Sequence, residues 1–293
     1  MTLTKPPFSK LHLFTQSQYP IRNHTLIARM VAFTAFMLTL TGCDKLFEFS
    51  PYQANVDESR CNTTAKNIRL LAQKEIQTNH FTFAVMADCH FYYDNLAEVV
   101  NHINQNEKIQ FVLYCGDISD QALMKEYDLF YDIMSQLNKP YFVVIGNHDY
   151  NSNGELIYDQ MFGKRNYSFD YANSKFVIFD DIVWESNHTP DFAWLQQELS
   201  SEKSYDRIFV ASHMPPSSDQ FTPLIENKYR SLMADNQVSM SIHGHEHRFS
   251  LDNYYGDGVM YLVVPSLKTP EYCTLTCADS VIEVQTVNTN QAP

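Results

Sequence analysis

Five stretches of the chain carry side chains able to ligate a metal ion: Asp88-Cys89-His90, Gly116-Asp117-Ile118-Ser119-Asp120, Gly146-Asn147-His148-Asp149, Ser212-His213-Met214-Pro215 and Gly244-His245-Glu246-His247. Asp88 and His90 offer a hard oxygen and an imidazole from one loop, a pairing suited to Mn, Fe or Zn. Asp117 can use both carboxylate oxygens, and a carboxylate between two cations is relieved of the repulsion and desolvation that raise its pKa. Asn147 can give a neutral oxygen while His148 beside it points elsewhere. In extended chain, side chains at i and i+2 share a face, so His245 and His247 can turn to one centre. His243 has the same parity and is a third candidate. Asp88, His90, Asp117, Asn147, His213, His245 and His247, with one shared carboxylate, can hold two divalent or trivalent ions. Two cations about 3.5–4 Å apart clamp the attacking and leaving oxygens of a phosphoryl group. A water shared between them loses its proton near neutral pH, which makes a nucleophile without any Ser or Cys.

The elements that must position these residues are short, buried strands. Residues 81–87, 109–114, 141–145, 207–212 and 239–242 are apolar and rich in β-branched and aromatic residues, as in strands of a parallel sheet. An open α/β sheet places its ligands just beyond the carboxyl ends of such strands. Helical spacing is predicted over 96–104, 122–137, 192–199 and 224–233, with Asp191 capping the third. Asp120 is a candidate cap for the helix at 122–137. Residues 166–169 and 174–179 read as a hairpin that starts a second sheet, which 259–264 and 281–287 close. Asp180 and Asp181 have no adjacent His and read as loop acids at a strand end. Cys89 and Cys115 flank the metal loops, and neither is read as a ligand. The spacing of Cys273 and Cys277 allows a disulfide in an oxidising compartment.

The amino terminus has a different composition. Lys5, Lys10, Arg22 and Arg29 come without any acidic residue, then an almost wholly apolar run over 30–40 leads into Leu40-Thr41-Gly42-Cys43. This order matches a secretory signal, and the run is shorter than the roughly 20 residues of a membrane span. Residues 1–42 are therefore expected to be a signal peptide. Residues 43–79 follow as a tether with a short helix over 65–76, and 80–293 form the catalytic domain. The formal net charge is −13, which argues against a surface that wraps nucleic acid and leaves a small phosphorylated substrate open.

Taken in order, the five stretches resemble the calcineurin-like metallophosphoesterase family over residues 81–249. The resemblance implies an α/β fold, a two-sheet sandwich flanked by helices. It also implies that Asp88, His90, Asp117 and His247 hold one metal and that Asp117, Asn147, His213 and His245 hold the other. His148 would contact the phosphoryl oxygens or protonate the leaving group. The expected reaction is hydrolysis of a phosphomonoester or phosphodiester by a metal-bridging hydroxide, with cyclic-nucleotide or other small-molecule phosphodiesterase activity as the narrower alternative. The alternative from another class is a degenerate site serving only as a non-catalytic metal-binding module; a missing ligand would point to it, and none is missing. Leu40-Thr41-Gly42-Cys43 resembles a bacterial lipobox, which implies a lipid anchor on Cys43. Asp44 resembles the signal for retention at the inner membrane, facing the periplasm.

Overall fold

The architecture follows from strands buried on both faces. β1 (Phe81–Met86), β2 (Ile109–Cys115) and β3 (Tyr141–Val144) are nearly free of polar residues. They pair in parallel, joined through α2 (Tyr93–Gln105) and α3 (Met124–Met134). The second sheet contains β4 (Tyr167–Tyr171), β5 (Ser174–Ile178), β6 (Arg207–Ala211), β7 (Met240–His243), β8 (Ser250–Asp252) and β9 (Met260–Val263). Its strand order is β4-β5-β6-β7-β9-β8, with β5, β6, β7 and β9 parallel. β4 and β5 are the expected hairpin.

In this computed structural model the described residues are 28–34, 50, 52–74, 79–200 and 203–290. They fall in two units, Met1–Phe49 and Ser50–Pro293. In the first, residues 28–34 are helical; the rest of the expected signal segment, with Cys43, lies outside the described residues. Among the described residues no helix is long and apolar enough to cross a membrane.

Alternation along each strand separates two cores. Phe83, Val85, Phe111, Leu113, Phe142, Phe176, Phe209 and Ile242 point between the sheets, while Ala84, Met86, Val112, Tyr114, Val177 and Val210 point under the helices. Seven phenylalanines, Phe81, Phe83, Phe111, Phe142, Phe169, Phe176 and Phe209, gather between the sheets. Phe83 stacks on Phe111 with centroids 5.1 Å apart, and Phe176 from the second sheet meets Phe83 edge-on at 5.4 Å. Such pairs add stabilisation beyond the area they bury. On the outside lie α5 (Phe192–Leu199), whose N-cap Asp191 accepts from the Trp194 N–H as expected, and α6 (Pro223–Asp235). α4 (Gly154–Met161) packs beneath the loop after β3.

Three expectations need correction. The strand over 281–287 closes the first sheet, not the second: β11 (Val281–Asn288) pairs with β10 (Glu271–Ala278), which pairs with β1. Cys273 and Cys277 are free thiols buried between the sheets. Four residues apart on one strand, they are separated by about 13 Å, well beyond disulfide reach. Asp120 does not cap α3. Leu123 is the N-cap, and Glu126 reaches back to the Leu123 N–H. The short helix before the domain, α1 (Thr63–Ala72), belongs to the second unit. Its Asn67 Nδ2 donates to the Tyr141 carbonyl at 2.8 Å, and Leu71 enters the core between the sheets.

Candidate active site

The loops leaving β1, β2 and β3 meet those leaving β6 and β7. Leu267 N–H donates to the carbonyls of Ala87 and Asp88, and an isolated bridge joins Ala87 to Ser266. All seven expected ligands come to this junction. Asp88, His90, Asp117 and His247 each present one ligand atom within 4.8 Å of the others. Asp117 Oδ2 stands 3.7 Å from His90 Nε2 and 3.4 Å from His213 Nε2, so one carboxylate oxygen faces both groups of imidazoles. His213 Nε2 is 3.1 Å from Asn147 Oδ1, and the His213 and His245 rings lie 5.3 Å apart. Asp117 Oδ1 accepts the His148 N–H at 3.0 Å.

Backbone conformation is part of the construction. Asp88, His90, Asp117, His245 and His247 all have φ between 48° and 68°. This left-handed region is costly for residues other than glycine, and such outliers persist only where surrounding structure holds them. Hydrogen bonds hold them here. Cys89 and His90 N–H donate to the Asp117 carbonyl at 2.9 and 3.2 Å, and the His245 N–H donates to Asp88 Oδ1 at 3.1 Å. A β-carbon at Gly146 would collide with the backbone nitrogen and carboxylate of Asp117, and one at Gly116 would collide with the His213 ring. These two glycines let the loops close on the site.

Several positioning groups carried no sequence signal strong enough to single them out. Asp149 is fully buried. Its Oδ2 accepts from the N–H groups of Gly146 and Ile118, and its Oδ1 accepts from the N–H and hydroxyl of Ser119. Burial, and then the nearby Asp117, push its pKa up to about 7. Asp181 Oδ1 accepts from the His213 and Met214 N–H groups, and burial pushes this acid up to about 7 as well. It is therefore more than an ordinary loop acid, whereas Asp180 bonds the Tyr150 hydroxyl and lies beside Arg165. Asp120 stands at the edge of the site, with its carboxylate 3.7 Å from both His90 Nδ1 and His148 Nδ1. Its proximity to the Gly116-Asp117 motif was the available clue.

His243 is structural: buried, with its nitrogens 3.2 Å from the Ser212 hydroxyl and 2.8 Å from that of Ser241, its pKa lowered by burial to about 3. Cys89 and Cys115 are buried, and burial pushes both thiols up.

The donor set fits cations. His90 Nε2 and His247 Nε2 face each other at 3.2 Å, two imidazole nitrogens aimed at one place. The Cys115 carbonyl, 2.8 Å from His213 Nδ1, fixes that nitrogen as the protonated one and leaves Nε2 to face Asp117. Burial opposes a proton on His213, but Asp117 overrides it and raises the pKa to about 10. Burial likewise opposes charge on Asp117, and His213 holds its pKa well below the usual range. The pair thus calls for positive charge at this spot, which a metal ion supplies in place of the proton.

A relative from Xenorhabdus bovienii, named as a probable cyclic nucleotide phosphodiesterase, is 26% identical over 145 residues, 46% of this chain and 57% of that protein. Among solved structures, the purple acid phosphatase PPD1 of yellow lupin superposes with a TM-score of 0.62 at 14% identity, covering 73% of this chain and 52% of that one. GAP50, the anchor in the inner membrane complex of Plasmodium, does so with a TM-score of 0.57 at 16% identity, covering 72% and 85%. The chain thus spans about half the length of the Xenorhabdus and lupin proteins, and at these identities the structural likeness is one of fold. Residues 81–249 match the calcineurin-like phosphoesterase family across more than half of the sequence, and the chain belongs to that family.

Proposed function

We propose that this chain is a metal-dependent phosphoric ester hydrolase acting on small phosphorylated substrates. The observation that carries the reading is Asp117 Oδ2, which faces His90 on one side and His213 on the other. Asp88, His90, Asp117 and His247 would hold one ion, and Asp117, Asn147, His213 and His245 a second, with Mn, Fe and Zn suited to this mixture of donors. When bound, two such ions supply Lewis acidity and activate water. The protein's own residues orient and exclude. Asp149 and Asp181 hold the ligand-bearing loops through backbone N–H groups, and Asp88 anchors the His245 backbone. His148 stands beside the ligands with Nδ1 2.9 Å from the Asp120 carbonyl, which makes Nδ1 a donor; Nε2 then faces a phosphoryl or leaving oxygen and donates to it in the imidazolium form.

A phosphodiester, cyclic nucleotides included, is the narrower reading, favoured by the name of the Xenorhabdus relative. Leu40-Thr41-Gly42-Cys43 supports a location in the bacterial cell envelope, with the chain held at the inner membrane by lipid on Cys43 and facing the periplasm.

The test is release of p-nitrophenol from p-nitrophenyl phosphate and from its bis ester with added Mn²⁺, beside elemental analysis. Two ions per chain and near-complete loss of turnover in Asp117→Asn are expected. Active protein holding at most one ion would sink the dinuclear reading, and the ratio of the two substrates separates monoesterase from diesterase.

A further inference from the structure

We propose that Glu185 and Gln220 are positioning residues that decide which end of the Asn147 amide faces the metal ligands. The role rests on the reading of Asn147 as a ligand. An Asn side chain ends in an oxygen and an NH₂ of almost the same shape, and only the oxygen ligates a cation. The loop that carries Asn147 brings no group that selects one over the other. The selection comes from two other loops, those after β5 and β6.

The polarity is forced step by step. Gln220 is 3% exposed, and one end of its amide lies 3.4 Å from the Val183 N–H and 3.2 Å from the Trp184 N–H. Backbone N–H groups only donate, so that end is the oxygen, Oε1. The other end is Nε2, and it donates to Glu185 Oε2 at 2.8 Å. An ionised carboxylate only accepts, so Glu185 Oε1, 3.2 Å from the Asn147 amide, requires the NH₂ there. Asn147 Oδ1 is thereby turned toward His213 Nε2 at 3.1 Å. A flipped Asn147 would set two oxygens against each other at Glu185 and aim its NH₂ at the cation. The backbone of residues 183–184 thus transmits an orientation, through two side chains, to a ligand on a different sheet.

The experiment is calorimetric titration of the full metal-free chain with Mn²⁺, for wild type, Glu185→Gln, Asn147→Asp and the double variant. With Gln at 185, the Gln220 Nε2 claims its oxygen and its NH₂ is turned to Asn147, so Asn147 is driven to present its own oxygen to residue 185 and its NH₂ to the cation. Wild type should bind two ions, and Glu185→Gln should keep one at wild-type affinity and weaken the other by roughly 10–100-fold, the usual cost of losing a partner behind a ligand. In the Asn147→Asp background both ends of the side chain are oxygens and Glu185 faces a like charge. There Glu185→Gln should leave affinity unchanged or raise it. Loss of a scaffold contact alone would weaken binding in both backgrounds. Unchanged affinities in Glu185→Gln, or the same loss with Asp at 147, would overturn the role while the two-metal reading stands. Wild type binding fewer than two ions would overturn that reading, and this role with it.

Discussion

At the scale of single residues, His148 separates metal binding from chemistry. Its backbone N–H goes to Asp117 and its Nδ1 faces the Asp120 carbonyl, while its ring packs edge-on against His90 with centroids 4.6 Å apart. Three contacts therefore fix the ring without using Nε2. A group that donates as charge builds on the leaving oxygen acts mainly in the transition state, so His148→Ala should lower kcat by about 10²–10⁴-fold and leave metal content at the wild-type value. Alkyl esters should lose more than p-nitrophenyl esters, whose leaving group needs little protonation. Equal losses across a series of leaving groups would remove the acid role and leave only phosphoryl contact. That seven ligands and His148 were legible in the sequence follows from their chemistry. Imidazole, carboxylate and amide at strand ends have few other reasons to recur in five loops. Glu185 and Gln220 were not legible, because an isolated Glu and Gln in polar loops carry no such pattern until the fold sets them side by side.

At the scale of elements, the loops after β2 and β3 act as one unit because Asp149 takes four hydrogen bonds from them. Asp149→Ala would strand the buried donors of Gly146, Ile118 and Ser119 at once. Left unpaired, such groups cost about 1–3 kcal/mol each. We expect a loss of about 3 kcal/mol or more in urea unfolding of the metal-free chain, together with weakened metal binding. A variant whose urea midpoint and metal affinity match wild type would show that the two loops hold their places without Asp149. The strands themselves could be read ahead of the structure because an apolar run bounded by polar residues has few other fates. Helix ends were less legible: α3 starts at Met124, not 122, because Glu126 closes back on the Leu123 N–H. The left-handed backbone of Asp88, His90, Asp117, His245 and His247 had no local signal at all, since nothing in an Asp or His demands it.

For the whole molecule, chemistry and location are encoded in separate stretches. The proposed metal ligands lie within the family-matching residues 81–249, and the proposed export and anchoring signals precede position 44. Cys43→Ser should therefore yield an unlipidated precursor whose site chemistry is unaltered. Intact-mass analysis of membrane-derived protein checks this, and an unmodified Cys43 in the wild type would reject the anchor. The negative balance of the chain is consistent with a substrate drawn in by bound cations and not by a basic surface.

The sequence by itself determined the class of chemistry and the buried strands, and the resemblance of its five stretches to the family implied the sandwich. The first two are written in short-range terms: residue types at strand ends, and apolar runs that must be buried on two faces. Only the tertiary structure decided how the pieces share the work. It assigned β11 to the first sheet through its pairing with β10, and kept Cys273 and Cys277 apart by laying them along one strand. It gave one Asp117 oxygen to the His148 backbone and the other to the imidazoles, and made Asp149 and Asp181 the ties that hold the ligand loops. Each of these depends on which residues distant in the chain become neighbours, and strand partners and hydrogen-bond polarity are set when two sheets close on one another.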